Sequence, residues 1–455
     1  MLFIIYHHQK DINLRFQINK IRNSFRQSTL IKDSFWAIFG NGLGNGLMLF
    51  AGIIIARYLG KDLYGEYGLI KTTMLYIGAF STLGLMTTST KYIAIAVKET
   101  PWMIKSLAKD AIFITLVCSG SLSLLFIIFA KTIASFLDEP DLTLSFRMLG
   151  IIIVFRSLQL TESGILGGLS KYNIIAKYNI ISSFIMLVCA ILLTYIWGLL
   201  GALIALLISQ IINTILNSYY IFNYICSLKN QVKTSKKKEL MLFSLPVALQ
   251  AASYNICTWG ATVILAKFST IGQIGLYNAA SQWYSIVLIV PSLLVNVILS
   301  HLSRTSNNQT LHNNILKKLL ICNFICTFLP FITVYVLANW ISGFYGPTFI
   351  GLPIILKIIV FSTIFSCCSN VYQSEFITKN KTWLTFSIRF IRDAGSLILC
   401  YGLIVRFGPD SGALSYSIAW VSADLIYFLL LVTAYYFLIK KKCPLININK
   451  IVNSK

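Results

Sequence analysis

Charged residues are scarce in this sequence. They make up 12% of its 455 residues, whereas hydrophobic residues make up 56%, and the mean hydropathy is +0.75. A soluble protein of average composition carries about 25% charged residues, so the composition argues against a soluble protein. Apolar stretches of about 20 residues recur along the chain, long enough to cross a bilayer as helices, and the sequence lacks the short alternating segments of a β-barrel. We therefore predict an all-α polytopic membrane protein.

Acidic residues are the scarcer of the two charge types. The chain has 15 Asp and Glu against 38 Lys and Arg, a formal net charge of +23. In a soluble protein this excess would suggest nucleic-acid binding. Here the basic residues lie mostly between apolar segments, which is the distribution that the positive-inside rule describes. We expect no nucleic-acid partner.

Metal-ligand patterns are also missing from the sequence. The ten cysteines lie mostly inside apolar segments, without zinc-site spacing or a disulfide framework. The four histidines, His7, His8, His301 and His312, are expected in the N-terminal tail and in a loop. We predict no metal site and no cofactor.

A lysine-rich segment at residues 227–239 divides the chain into two apolar halves. We predict a basic N-terminal tail (1–34), an N-lobe (35–226), the basic linker itself (227–239), a C-lobe (240–439) and a basic C-terminal tail (440–455). Each lobe holds six predicted spans. The twelve spans are 35–57, 64–89, 110–132, 145–168, 174–196, 199–224, 240–266, 275–300, 314–339, 351–377, 383–405 and 411–438.

The distribution of positive charge predicts the topology. The two tails and the loops after the even-numbered spans hold about 27 Lys and Arg, and the opposite loops hold about five. Both termini are therefore expected in the cytoplasm, with Asp138 and Lys267 on the outside.

An internal repeat relates the two halves. Ala56-Arg57-Tyr58 with Gly65 and Tyr67 matches Ala266-Lys267-Phe268 with Gly275 and Tyr277, without a gap. Since each half has an even number of spans, the lobes have the same orientation. A pseudo-two-fold axis along the membrane normal should relate them, as in many transporters.

Four stretches resemble a known family. They are ARYLGKDLYGEYGL at Ala56–Leu69, FSLP at Phe243–Pro246, GLYNAA at Gly275–Ala280 and the FYG of Phe344–Gly346. Together they resemble the bacterial polysaccharide and O-antigen repeat-unit flippases of the multidrug/oligosaccharidyl-lipid/polysaccharide exporter superfamily. The resemblance implies a V-shaped fold like that of the multidrug (MATE) exporters.

The resemblance also implies a function. Such a flippase moves undecaprenyl-diphosphate-linked oligosaccharide across the bacterial cytoplasmic (inner) membrane by alternating access. Its expected partners are this substrate, membrane lipids, a proton or sodium coupling ion and a glycan polymerase. One alternative is a drug or cation antiporter on the same fold, which would need an acidic cavity. A membrane-embedded glycan polymerase is a weaker alternative, because the chain lacks a large outer loop. We therefore expect that the protein is not an enzyme.

Ionisable residues inside predicted spans are the best site candidates, because charge is costly in a bilayer. Asn41 and Asn45 are added to these candidates because they lie in the glycine-rich run FGNGLGNGL. This run is interpreted either as a surface for helix packing or as a bend that faces the cavity. The candidates for substrate binding are Arg156, Arg389, Arg392, Lys71, Lys357, Asn41 and Asn45. The candidates for ion coupling are Glu162, Glu375, Asp393 and Asp424.

The cluster in spans 11 and 12 allows two interpretations. Arg389 and Asp393 are four residues apart, so they share a helix face and can pair. The cluster then keeps a positive charge unless Asp424 neutralises it. It is either a structural ion pair between the spans or a cationic cavity wall, where arginine would bind phosphate oxygens through its planar fork.

Overall fold

The computed structural model describes residues 29–228, 237–289, 309–379 and 381–440, together with residues 291, 292, 294, 295, 298 and 302. The described part is built almost wholly from helices. They are α1 (Thr29–Ser81), α2 (Leu85–Glu99), α3 (Ile104–Ile128), α4 (Ala130–Phe136), α5 (Thr143–Gly168), α6 (Tyr172–Ser227), α7 (Lys237–Phe268), α8 (Ile271–Val287), α9 (Gln309–Val336), α10 (Ala338–Tyr345), α11 (Leu352–Thr378), α12 (Thr382–Phe407) and α13 (Gly412–Tyr435).

Several expectations fall on residues outside this part of the chain. They are most of both basic tails, residues 229–236 of the linker, and the positions of His7, His8 and His301. The boundaries predicted for the lobes therefore stay predictions.

Two of the helices are folded into hairpins. The helix α6 has 56 residues and bends at Gly198, whose φ of 56° and ψ of −131° suit glycine because it lacks a β-carbon. At Gly201 a β-carbon would overlap the backbone carbonyl of Leu193, so the two arms pack tightly. The helix α1 bends in the same way at Gly60, where φ is 73°. The α6 hairpin supplies the fifth and sixth predicted spans, and the α1 hairpin supplies the first span and most of the second.

The second predicted span, 64–89, is not one continuous helix. The helix α1 ends at Ser81, and α2 begins at Leu85. Between them Leu83 and Gly84 take positive φ values of 47° and 73°. Left-handed residues end the run of i to i−4 hydrogen bonds, which explains the interruption. The sequence offered only one glycine here, and a single glycine does not break an apolar helix by itself.

Seven helical stretches in the described part are long and apolar enough to cross a membrane, and these include both hairpins. The helix α12 is not among them because it carries Arg389, Arg392 and Asp393 along with Arg406. The all-α prediction is confirmed for the described residues, which form a multi-pass membrane protein.

The repeat glycines lie where the two halves of the chain meet. A β-carbon at Gly65 would overlap the carbonyl of Ile271, and one at Gly275 would overlap the carbonyl of Lys61. Ile271 and Lys61 are themselves related by the repeat offset. Such a reciprocal contact is what a two-fold axis produces, because residue i meets j where j meets i.

One end of the molecule is closed by contacts between the halves. The backbone N–H of Lys61 donates to Thr348 Oγ1 at 3.2 Å, and the rings of Tyr64 and Phe349 lie 5.8 Å apart edge to face. We call the group Lys61, Tyr64, Ile271, Thr348 and Phe349 the sealed end.

A salt bridge lies beside the sealed end. Lys267 Nζ is 2.5 Å from Asp138 Oδ2 and 5.4 Å from the ring centre of Phe136. Burial and the neighbouring carboxylates of Asp141 and Asp138 raise the pKa of Glu139. The loop thus holds an excess of negative charge, which Lys267 from the other half partly offsets.

Candidate functional site

A cavity of about 400 Å³ lies between the two halves, next to the sealed end. The helices α1, α5 and α6 form one wall, and α7, α8 and α13 form the other. Its described lining contains two cations, Arg156 and Lys71, and no carboxylate. The central cavity is therefore positively charged, as a site for an anionic group would be.

Arg156 lies on α5 and reaches the cavity beside α1. Its Nη1 donates to Gln159 Oε1 at 2.6 Å, one turn further along the same helix. Its Nε is buried and has no hydrogen-bond partner among the described residues. The absence of a side chain at Gly78 leaves room for the side chain of Arg156, because a β-carbon at Gly78 would lie 2.9 Å from Arg156 Cγ. The guanidinium is held in place and keeps unused donor capacity.

Lys71 and Asn45 reach the same cavity from α1. Lys71 lies on the second arm of the α1 hairpin, with Nζ 5.9 Å from the ring centre of Tyr67. Asn45 lies on the first arm, in the glycine-rich run. The structure thus brings together three predicted residues, Arg156, Lys71 and Asn45. Asn41 is a further candidate, and its side chain lies outside the described residues.

A second cavity, of about 150 Å³, adjoins the central one within the N-terminal half. The two cavities share Asn45, Met48, Arg156 and Gln210. We call this second cavity the amide pocket, because amide and hydroxyl side chains form most of its wall. Its lining is Gly44, Asn45, Met48, Arg156, Gln159, Asn179, Ser182, Ser183, Ser209, Gln210 and Asn213.

A third cavity, of about 130 Å³, lies within the C-terminal half and contains Arg389 and Arg392. Tyr254, Tyr284 and Trp420 line both this cavity and the central one. Arg389 stacks on the face of Tyr254, with its guanidinium carbon 4.7 Å from the ring centre. Aromatic side chains therefore separate these arginines from the central cavity.

Arg392 binds both neighbouring carboxylates. Its Nε and Nη2 donate to Asp393 Oδ1 at 2.8 and 2.6 Å, and its Nη1 donates to Asp424 Oδ1 at 3.3 Å. The expected pair of Arg389 with Asp393 is longer, at 4.0 Å. Ser366 donates to the other oxygen of Asp424 at 2.7 Å. Two arginines thus meet two aspartates, so the fully ionised cluster has no net charge.

Three candidates lie away from the described cavities. Lys357 on α11 packs against Tyr335, with Nζ 5.6 Å from the ring centre. Glu162 on α5 is buried and accepts a hydrogen bond from Ser218 on α6. Glu375 on α11 is buried and lies 2.7 Å from His312 Nε2.

The location predicted for His312 is wrong. This histidine does not lie in a loop, because α9 begins at Gln309, five residues before the predicted start of span 9. The side chain is therefore buried against α11, where it meets Glu375.

Sequence reasoning missed two groups of lining residues. The amides Gln159, Gln210 and Asn213 carry no charge, so they were not selected as costly intramembrane residues. A polar stripe at helical spacing on α5, Arg156 followed by Gln159 and Glu162, was the available signal. The lining aromatics could not be distinguished from the many others, since the chain has 23 Tyr and 30 Phe.

A membrane bundle whose two halves enclose a cationic cavity has the architecture of an exporter-type transporter. Comparison with known families then identifies the family to which the chain belongs. Residues 30–305 match the polysaccharide biosynthesis protein family, and the chain belongs to it.

Known proteins support the same placement. A Shigella flexneri protein provisionally named an O-antigen transporter is 24% identical over 403 residues, covering 86% of this chain and 94% of that protein. An inward-facing MATE-family multidrug resistance transporter superposes with a TM-score of 0.76 at 14% identity, over 88% of this chain and 96% of its own. The lipid II flippase MurJ, in an inward closed conformation, gives 0.70 at 18% identity, over 87% and 86%.

These similarities confirm the resemblance and the MATE-like fold. The relatives are transporters and a flippase rather than enzymes, which agrees with the expectation that this chain is not an enzyme.

Proposed function

We propose that the protein is a flippase that moves undecaprenyl-diphosphate-linked oligosaccharide repeat units across the bacterial cytoplasmic membrane. Such units are precursors of O-antigen, capsule or exopolysaccharide. The diphosphate would lie in the central cavity while the polyprenyl tail stays in the bilayer. Family membership and the similarity to a protein named an O-antigen transporter support a role in glycan export.

The observation that carries the proposal is the charge of the central cavity. Arg156 and Lys71 line it, and no carboxylate lies among the described residues around them. A diphosphate cannot cross hydrocarbon unaided, because each unsatisfied polar group costs several kcal/mol there. Two fixed cations would replace the water that the diphosphate loses.

The same observation argues against the drug or cation antiporter. A cationic substrate would meet like charge from Arg156 and Lys71. The candidate coupling acids Asp393 and Asp424 are both bound to Arg392, and Glu162 and Glu375 lie away from the central cavity. The fold similarity to a multidrug transporter therefore supports the architecture rather than that substrate class.

The charge bias of the loops supports a topology in which both termini are cytoplasmic and the sealed end faces outward. The structure would then be a state with the cavity closed to the outside. Opening of the sealed end, with rocking of the two halves, would expose the cavity on that side. Proton or sodium coupling, and contact with a glycan polymerase, stay predictions.

The test is the leaflet distribution of the lipid-linked repeat unit in cells that lack this protein. The unit should still be synthesised and should accumulate in the cytoplasmic leaflet, with surface glycan lost. Normal amounts on the outer leaflet would contradict a flippase. Unjoined single units on the outer leaflet would indicate a polymerase, and altered dye efflux with normal glycan would indicate an antiporter.

Complementation with variants of Arg156 tests the role of the cavity charge. Arg156→Ala should abolish export, since a lost charge-assisted contact costs about 1.5–3 kcal/mol of binding. Arg156→Lys should restore part of it, because the charge remains while the forked geometry is lost. Arg147→Ala is the matched control, since this arginine is exposed on the same helix. Wild-type export by a normally expressed Arg156→Ala variant would exclude the role.

A further inference from the structure

The amide pocket has polar groups that the protein itself does not use. Gln210 on α6 is 6% exposed, and its Oε1 is buried with no hydrogen-bond partner among the residues that the structure describes. Leaving a buried acceptor unpaired costs about 1–3 kcal/mol. Gln210 lines both the amide pocket and the central cavity, so rotation of its amide toward a bound ligand would give this buried acceptor a partner.

A chain of amides links the two arms of the α6 hairpin beside this pocket. Asn217 Nδ2 donates to Asn213 Oδ1 at 2.8 Å, and Asn213 Nδ2 donates to Asn179 Oδ1 at 3.0 Å. Because its oxygen already accepts, Asn179 has its amide nitrogen left as a donor, and this nitrogen bonds no other described residue. The pocket thus offers a free donor from Asn179 as well as a free acceptor from Gln210.

The chemistry of the pocket selects one class of ligand. No carboxylate lies among its described lining residues and Arg156 is one of them, so a cation bound there would meet a positive charge without a counter-charge. Met48 is the only large apolar side chain in that lining, so a hydrophobic drug would find little to pack against. Amides both donate and accept, and so do the hydroxyl and acetamido groups of sugars. The pocket therefore suits an uncharged, hydroxyl-rich group.

The position of Arg156 indicates which sugar of the substrate would occupy the amide pocket. It belongs to the amide pocket and to the central cavity alike, so a ligand in the pocket is next to the guanidinium. In a lipid-linked oligosaccharide, only the first sugar is bonded directly to the diphosphate. A group in the pocket that is adjacent to a diphosphate at Arg156 is therefore this first sugar.

We propose that the amide pocket is the subsite for the sugar bonded directly to the diphosphate, which Gln210 and Asn179 recognise by hydrogen bonds. This inference rests on the proposed function. The diphosphate itself would lie in the central cavity with Arg156 and Lys71. Selection at this position would then act on the first sugar of the repeat unit, whereas the more distal sugars would lie in the wider cavity.

The test compares two probes on the purified full-length protein in detergent. One probe is undecaprenyl diphosphate, and the other is undecaprenyl diphosphate carrying one N-acetylhexosamine. Wild-type protein should bind the glycosylated probe more tightly. Gln210→Leu should weaken binding of that probe about tenfold, the loss of roughly one hydrogen bond, and leave the bare diphosphate probe unaffected. Arg156→Ala should weaken binding of both probes.

Two further variants test whether the loss of binding is specific to the amide pocket. Asn179→Ala removes the donor on the other arm of α6 and should give the same probe-selective loss as Gln210→Leu. Asn223→Leu is the matched control, because Asn223 is exposed on the same helix as Gln210 and lines neither cavity. Melting temperatures of all variants establish that they are folded.

The outcomes separate the subsite from the function. Equal wild-type affinity for the two probes, or equal loss of both in Gln210→Leu and Asn179→Ala, would overturn the subsite while the flippase proposal stands. Failure of wild-type protein to bind either probe would overturn the flippase proposal and the subsite with it. Tighter wild-type binding of the glycosylated probe, lost selectively in both variants, would support the subsite.

Discussion

Replacing Arg392 should destabilise the protein rather than only impair its transport. The guanidinium is 12% exposed and binds Asp393 and Asp424, which are 3% and 2% exposed. It also lies over the rings of Trp420 and Tyr427, at 5.5 and 4.9 Å. Arg392→Ala would leave two buried carboxylates without their main cation.

The expected magnitude follows from burial. Removing one partner of a buried ion pair typically costs about 3–5 kcal/mol, because the remaining charge stays buried without compensation. Arg389→Ala is the matched control. Its side chain is 38% exposed and 4.0 Å from Asp393, so the cost should be near that of a surface pair, about 0–1 kcal/mol. The assay is thermal unfolding of each purified variant in the same detergent.

A compensating variant separates charge from packing. Arg392→Met with Asp424→Asn removes a cation and an anion together, and Asp393 keeps Arg389 as a neighbour. This double variant should recover most of the stability that Arg392→Ala loses. An Arg392→Ala protein that melts like wild type, or that is more stable than Arg389→Ala, would refute the structural role and favour Arg392 as a cavity cation.

The remaining predictions concern the sealed end and the membrane topology. Gly275→Val should prevent closure of the sealed end and lower expression or melting temperature, because a β-carbon would overlap the Lys61 carbonyl. Gly343→Ala should be neutral, since no described atom would lie within 4 Å of the added β-carbon. Lys267→Glu should reduce cross-linking between cysteines placed at 61 and 348, and adding Asp138→Lys should restore it; unchanged cross-linking would exclude a role for this pair. In intact cells, impermeant thiol reagents should label cysteines introduced at 138 and 267 but not at 236, and labelling at 236 would contradict the topology.

Much of the fold could be predicted because it depends on local properties of the sequence. Long apolar runs predict membrane helices, and the bend of α6 at Gly198 lies between the predicted spans 174–196 and 199–224. The repeat predicted related halves, and its glycines Gly65 and Gly275 lie at their contact. Glycine is needed at both positions because the backbones of the two halves approach closely there. The internal repeat in the sequence reveals such paired positions.

The partners of the charged residues could not be predicted in this way. Helical spacing named Arg389 as the partner of Asp393, but Arg392 forms the shorter contacts because it also reaches Asp424 on the neighbouring helix. Which carboxylates each arginine contacts depends on how α12 and α13 pack. The pairing of His312 with Glu375, on helices α9 and α11, likewise required the tertiary structure.

The two arginine sites differ in what balances their charge, and this difference favours the N-terminal half as the diphosphate site. Arg392 is neutralised by two aspartates, so an incoming anion would have to compete with carboxylates already in place. Arg156 has an amide partner, Gln159, and its Nε has no partner in the described part of the chain. A buried cation without a counter-charge is costly in a membrane protein, and an anionic substrate would relieve that cost. For the proposed substrate, the binding energy of the diphosphate should therefore come mainly from Arg156 and Lys71, with the aromatic wall of the other half left to contact the distal sugars.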